Sequence, residues 1–136
     1  MDLTLPQQLQ EYIEFEMNCD AFYRTMAEIA PTDQERQVFL EIADNRRHHV
    51  QLFQDIYVSI AGENYEPPAY SPDMDQPYQF ALRHLILSEH KSFQEYHNQF
   101  MNTDNNALKK ACYQVGLNKT EHINKLMTLM IDKRND

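Results

Sequence analysis

The chain is short of glycine, cysteine and tryptophan, with 2 Gly, 2 Cys and no Trp in 136 residues. Two glycines cannot supply the positive-φ turns of a hairpin-rich β fold, so an all-α chain is expected. Cys19 and Cys112 stand apart with no Cys-x-x-Cys, which suits a reducing compartment better than a disulfide framework. No apolar run approaches the ~18–20 residues of a bilayer span. The opening MDLTLPQQ lacks the basic and apolar regions of a signal peptide. Basic charge is scarce as well. Twelve Lys+Arg stand against 21 Asp+Glu, a formal charge of −9, which leaves no electrostatic footprint for nucleic acid or an anionic membrane. The expectation is one cytoplasmic domain over 1–136, long enough to bury a core without staples.

What the chain does have is proline and asparagine at a few places. Pro31, the group Pro67, Pro68, Pro72 and Pro77, and the cluster Asn102 to Asn106 divide it into four segments. These predict helices over roughly 5–30, 33–61, 77–101 and 105–133, each about 40 Å long at 1.5 Å per residue. Thr4 with Gln7 and Thr32 with Glu35 have capping-box spacing, and Asp75 and Asp104 are expected N-caps for the last two helices. The first and third connections are short, which makes antiparallel hairpins. The stretch 62–76 is long enough to cross the bundle from end to end. A four-helix bundle of two hairpins joined by one long crossover follows.

Bundle cores repeat at alternating spacings of three and four. On that frame the first helix reads Tyr12, Glu16, Cys19, Tyr23, Met26 and Ala30. The third reads Leu82, Leu85, Glu89, Phe93 or Ser92, Tyr96 and Phe100. The fourth reads Leu108, Cys112, Val115, Lys119, His122, Leu126 and Leu129. The second is less clear: Val38, Ile42, Asn45, His48 or His49, Leu52, Ile56. Glu16, Glu89, Lys119 and His122 thus interrupt apolar stripes at mid-helix, where a buried charge costs several kcal/mol unless it is paired or metal-bound. The halves also repeat. Glu16 to Glu89 and Tyr23 to Tyr96 are both offsets of 73, while His48 to His122 and Leu52 to Leu126 are offsets of 74, as if one residue were inserted.

With these motifs the sequence resembles the ferritin-like, rubrerythrin-type di-iron carboxylate family over nearly its whole length. In that family the first and third helices each give a Glu, and the second and fourth each give Glu-x-x-His. The resemblance implies candidate metal ligands Glu16, His48, Glu89 and His122, with His48 preferred over His49 because Leu52 follows it as Leu126 follows His122. Tyr23 and Tyr96 lie beside them. Where the family has the paired glutamates, this chain has Asn45 and Lys119, and the rubredoxin-like Cys cluster of full rubrerythrins is absent.

These departures imply a degenerate centre, metal-free or holding one divalent metal (Fe, Zn or Mn), with two irons disfavoured. A structural or interaction role is expected rather than an enzyme, with a homodimer as partner and no nucleic acid, membrane or named small-molecule substrate. The alternative is a rubrerythrin-like di-iron oxidoreductase or iron-binding protein with a rearranged ligand set. It requires Asn45 and Lys119 to face solvent while Asp44 and Glu121 turn inward. Lys119 is expected to supply, among the carboxylates, the positive charge a metal would otherwise supply.

Overall fold

The computed structural model describes residues 3–135, with side-chain surroundings through Asp132. Residues 1, 2 and 136 of the expected 1–136 domain lie outside it. Four helices form, α1 (Leu5–Ile29), α2 (Asp33–Ala61), α3 (Tyr78–Asn102) and α4 (Asn106–Asn135). The Thr4–Gln7 capping box closes α1 on both sides. Thr32 accepts from the Glu35 N–H at 3.1 Å to start α2. Asp75 and Asp104 do not cap. Pro77 precedes α3 without a side-chain hydrogen bond, and Asn105 accepts from the Leu108 N–H at 2.9 Å ahead of α4. Gly62 ends α2 in the left-handed region at φ 83°, where its N–H bonds the Val58 carbonyl. Only a residue without Cβ adopts that conformation at no steric cost.

α1 packs along α2, α3 along α4, and α2 against α4. The two hairpins are therefore opposite sides of the bundle, and the crossover carries the chain from the end of α2 back to the other end. Tyr65 tacks it down, through its hydroxyl to Glu14 at 3.1 Å and its backbone to Gln54. Tyr78 bonds Glu35 at the far end. Two apolar clusters fill the interior. One, at the C-terminal end of α1, holds Tyr23, Met26, Phe39, Ile42, Leu82 and Leu126. The other, at its N-terminal end, holds Leu9, Ile13, Phe53, Tyr96, Leu108 and Val115. Between them lies a polar layer. No described helix is long and apolar enough to cross a membrane.

Candidate functional site

The polar layer is assembled from one stripe of each helix. Glu16 and Tyr23 are two turns apart on α1, as Glu89 and Tyr96 are on α3. On α2 the buried stripe runs Phe39, Ile42, Arg46, His49, Phe53, Ile56, a strict three-four alternation, and α4 places Lys119 and His122 at the same level. All six charged or imidazole side chains, Glu16, Arg46, His49, Glu89, Lys119 and His122, are at most 1% exposed.

Arg46 joins the two carboxylates. Its Nη1 donates to Glu16 Oε2 at 2.6 Å, and its Nη2 meets Glu89 Oε1. Lys119 Nζ donates to Glu16 Oε2 at 3.1 Å. His49 Nδ1 lies 2.7 Å from Glu16 Oε1, and Asn118 Nδ2 is 2.9 Å from His49 Nε2. The tyrosines cross over: Tyr23 donates to Glu89 at 3.0 Å and Tyr96 to Glu16 at 3.2 Å. Each cation also lies against two rings. Arg46 sits 5.8 Å from Phe15 and 5.7 Å from Tyr23, while Lys119 sits 5.2 Å from Phe15 and 5.3 Å from Tyr96. Aromatic faces attract desolvated cations, so Phe15 and the two tyrosines offset part of the desolvation cost. The Glu89 half is looser. His122 Nδ1 is 3.4 Å from Glu89 Oε2, and neither atom nor His122 Nε2 has a hydrogen-bond partner.

Protonation follows from this arrangement. Burial alone would raise the Glu16 carboxyl, yet Arg46, Lys119 and His49 hold it well below its usual value. Burial also opposes the Arg46 charge, but Glu16 overrides it and the guanidinium stays charged. Lys119 is pushed down to about 8, first by burial and then by Arg46, against the pull of Glu16. It remains mainly protonated at neutral pH. Burial pushes His49 down to about 4 and His122 to about 3, so both imidazoles are neutral. Two carboxylates then face two cations, and the layer is electrically balanced.

No family model matches the sequence, and no curated protein does. Among solved structures the fold does find a match: a dodecameric thioferritin, the bacterioferritin-related protein from Bacteroides fragilis. The two superpose at a TM-score of 0.83 with 19% identity, over 96% of this chain and 86% of that one. The chain has the ferritin-like fold.

In this ferritin-like bundle, three of the four expected ligand positions converge, namely Glu16, Glu89 and His122. His48 does not. It faces outward, near Gln114 at 3.3 Å, and His49 takes its place. Asn45 is also outside the layer, with its amide on the Glu41 carbonyl. The inward residue three before His49 is Arg46, which the sequence reading missed. One signal would have found it. A uniform offset of 73 maps Glu16 to Glu89, Tyr23 to Tyr96, Arg46 to Lys119 and His49 to His122, with no insertion. Lys119 faces inward as expected, whereas Asp44 pairs with Arg24 at the surface and Glu121 is exposed. The rearranged ligand set required Asp44 and Glu121 inside, and they are not there.

The residues present do not fit a pair of bridged metals. At the spacing of the two Glu-x-x-His motifs this chain reads Arg46-x-x-His49 and Lys119-x-x-His122, so both bridging carboxylates are replaced by cations. Glu16 is already engaged by Arg46, Lys119, His49 and Tyr96. An entering metal would have to displace a guanidinium and an ammonium from a layer that is already neutral. Among the described residues no group of three or more His, Cys, Asp or Glu side chains is arranged around a common point for a metal.

Two predictions arise here. Tyr23→Phe leaves Glu89 with Arg46 and the looser His122 and should cost about 1.5–3 kcal/mol, as for a hydrogen bond to a charged group. Urea unfolding of the variant measures it, and a cost near zero would show that the hydroxyl is replaceable. The second concerns acid. In the folded chain both buried imidazoles resist protonation until pH about 4 and 3, whereas in the unfolded chain they take protons near 6.5. The unfolded state binds more protons below that pH, so stability is complete above about 6.5 and falls beneath it, by about 1.4 kcal/mol per pH unit for each imidazole. Glu16, with its depressed carboxyl, adds a further loss in the same direction at more acid pH. Melting temperatures should therefore start to drop near pH 6, and His122→Gln should flatten that early limb. A flat profile down to pH 4.5 would contradict it.

Proposed function

We propose that this chain is a ferritin-like bundle whose metal centre has been exchanged for an internal ion-pair network, and that it works as a metal-independent structural or interaction module. The observation that carries this reading is the paired replacement of both Glu-x-x-His glutamates by Arg46 and Lys119, each bonded to a carboxylate of the same layer. A centre of this kind supplies what metals supply to a bundle core, namely positive charge at the point where four helices must meet. It does so without open coordination positions, and so without redox chemistry. The expected partner is a second copy of the chain, because several large apolar side chains on α3 and α4 stay exposed, among them Phe80, Leu87, Tyr113 and Ile131.

The test is metal titration of protein purified without chelators. Fe²⁺, Zn²⁺ and Mn²⁺ should leave no tightly held ion after desalting and should not shift the melting temperature, since only a ligand that binds the folded state raises it. Two tightly held irons per chain would overturn the reading. A second reading draws on the unsatisfied Glu89 Oε2 and His122 nitrogens: one divalent ion held weakly in that half of the layer. It requires a single metal per chain that is lost in His122→Ala.

A further inference from the structure

Charge is divided unevenly along the chain. Residues 3–77 carry 14 Asp+Glu against four Lys+Arg, whereas residues 78–135 carry five against eight. The acidic part includes the crossover. From Gly62 through Pro77 it has Glu63, Glu66, Asp73 and Asp75, four prolines and no Lys or Arg. It forms no helix or strand after residue 63, and Tyr70 within it is 46% exposed.

On the opposite hairpin, where α3 ends and α4 begins, an open groove of about 650 Å³ is lined by Phe100, Lys109, Lys110, Tyr113 and Leu117 among others. Two rings form its aromatic wall, Phe100 meeting Tyr113 at 5.5 Å. Outside the groove Phe100 is backed by His97 at 6.4 Å, which stacks in turn on Phe93 at 5.9 Å. Lys109 lies over the Phe100 ring at 5.3 Å. Aromatic walls receive extended proline-rich segments well, because such segments lose little conformational freedom on docking. The two lysines add selection for an acidic one.

We propose that this groove takes the crossover of a second copy of the chain, with Lys109 and Lys110 facing Glu63 and Glu66. The chemistry of both halves is on the same polypeptide. Their positions also agree, since Tyr65 of the crossover and Phe100 of the groove pack on the same interior cluster and so lie at one end of the bundle. A chain cannot fill its own groove, because the crossover is tacked to the α1–α2 hairpin on the other side. Contact between unlike, opposite faces passes from copy to copy and does not close at two; it builds a ring of three or more where the rotation closes and an open filament where it does not. This departs from the homodimer expected on sequence. The inference deepens the self-association part of the proposed function and is independent of metal content, which its test does not measure.

The experiment is sedimentation velocity of the full chain at micromolar concentration, in about 50 mM and about 500 mM NaCl, which span strong and weak screening. Wild type should assemble beyond a dimer at low salt and weaken by at least about tenfold at high salt. Lys109→Glu with Lys110→Glu, and separately Glu63→Lys with Glu66→Lys, should each be monomeric at low salt, with helicity unchanged by circular dichroism. Mixing the two variants should recover association, in alternating and therefore even-numbered or open assemblies, because each restores the charge partner of the other. A wild type that is monomeric at both salts overturns the proposal. So does a salt-insensitive dimer, which marks a symmetric apolar contact instead. A mixture that shows no association at all also overturns it.

Discussion

Arg46→Glu combined with Lys119→Glu should give a bundle that takes up two irons per chain where the wild type takes up none. The substitution restores Glu-x-x-His on α2 and α4 at the positions that face Glu16 and Glu89. It turns a balanced layer into four carboxylates with two neutral imidazoles, and carboxylates crowded at this distance cannot all stay ionised without cations. The apo variant should therefore be poorly stable, and Fe²⁺ should raise its melting temperature steeply, since metal binding becomes part of the folding free energy. Iron per chain after anaerobic loading and desalting is the primary measurement. The control is Asn45→Glu with Lys119→Glu, the pair that the sequence spacing alone selects. It should fail to load two irons, because Asn45 lies outside the layer with its amide on the Glu41 carbonyl. A folded Arg46→Glu/Lys119→Glu protein that binds no iron, or a wild type that binds two, would refute the exchange of metal for ion pairs.

The second large effect is expected from removing one cation alone. Arg46→Met deletes the side chain that joins Glu16 to Glu89. Glu16 keeps Lys119 and His49, while Glu89 keeps one tyrosine hydroxyl and a distant imidazole. A carboxylate stranded in this way costs about 3–5 kcal/mol. For a chain of this size that lowers the melting temperature on the order of 10–20 °C. Lys119→Met should cost less. Its ammonium is already held down to about 8 by burial and by Arg46, and it bonds Glu16 alone. Comparing the two variants in urea separates an ion-pair network centred on Arg46 from one shared equally. A loss under about 1 kcal/mol for Arg46→Met would mean that water or a proton neutralises the layer. The converse also follows from the desolvation argument: a fully apolar replacement of the layer need not destabilise the bundle, because paired buried charges often do no more than break even against good packing.

α2 differs from the other three helices in how plainly the sequence marks its buried face. On α1, α3 and α4 the candidate polar residues stand between apolar ones at three-four spacing, so Glu16, Glu89, Lys119 and His122 announce the inward face. On α2 the run Asn45, Arg46, Arg47, His48, His49 is polar at five successive positions, and periodicity alone cannot choose among them. An arginine in such a run reads as solvated, since burying a lone guanidinium is very costly. Its partners are 30 residues away on α1 and 43 residues away on α3, a distance no local pattern reports. Phe15 was missed for a related reason. It lies beside the α1 stripe, and its contact with both cations depends on how α1 faces α2 and α4.

The sequence by itself determined the helix count, the breaks at proline and asparagine, the two hairpins with their crossover, and the presence of charge at mid-bundle. These follow from short-range chemistry: caps, turn residues and the periodicity of a helix face. Only the tertiary structure decided which face of α2 is buried, and with it that Arg46 and His49, not Asn45 and His48, complete the layer. A single-residue shift rotates a helix by about 100°. Which rotation is adopted depends on whether the buried cation finds carboxylates on other helices, and that is settled when the four helices meet.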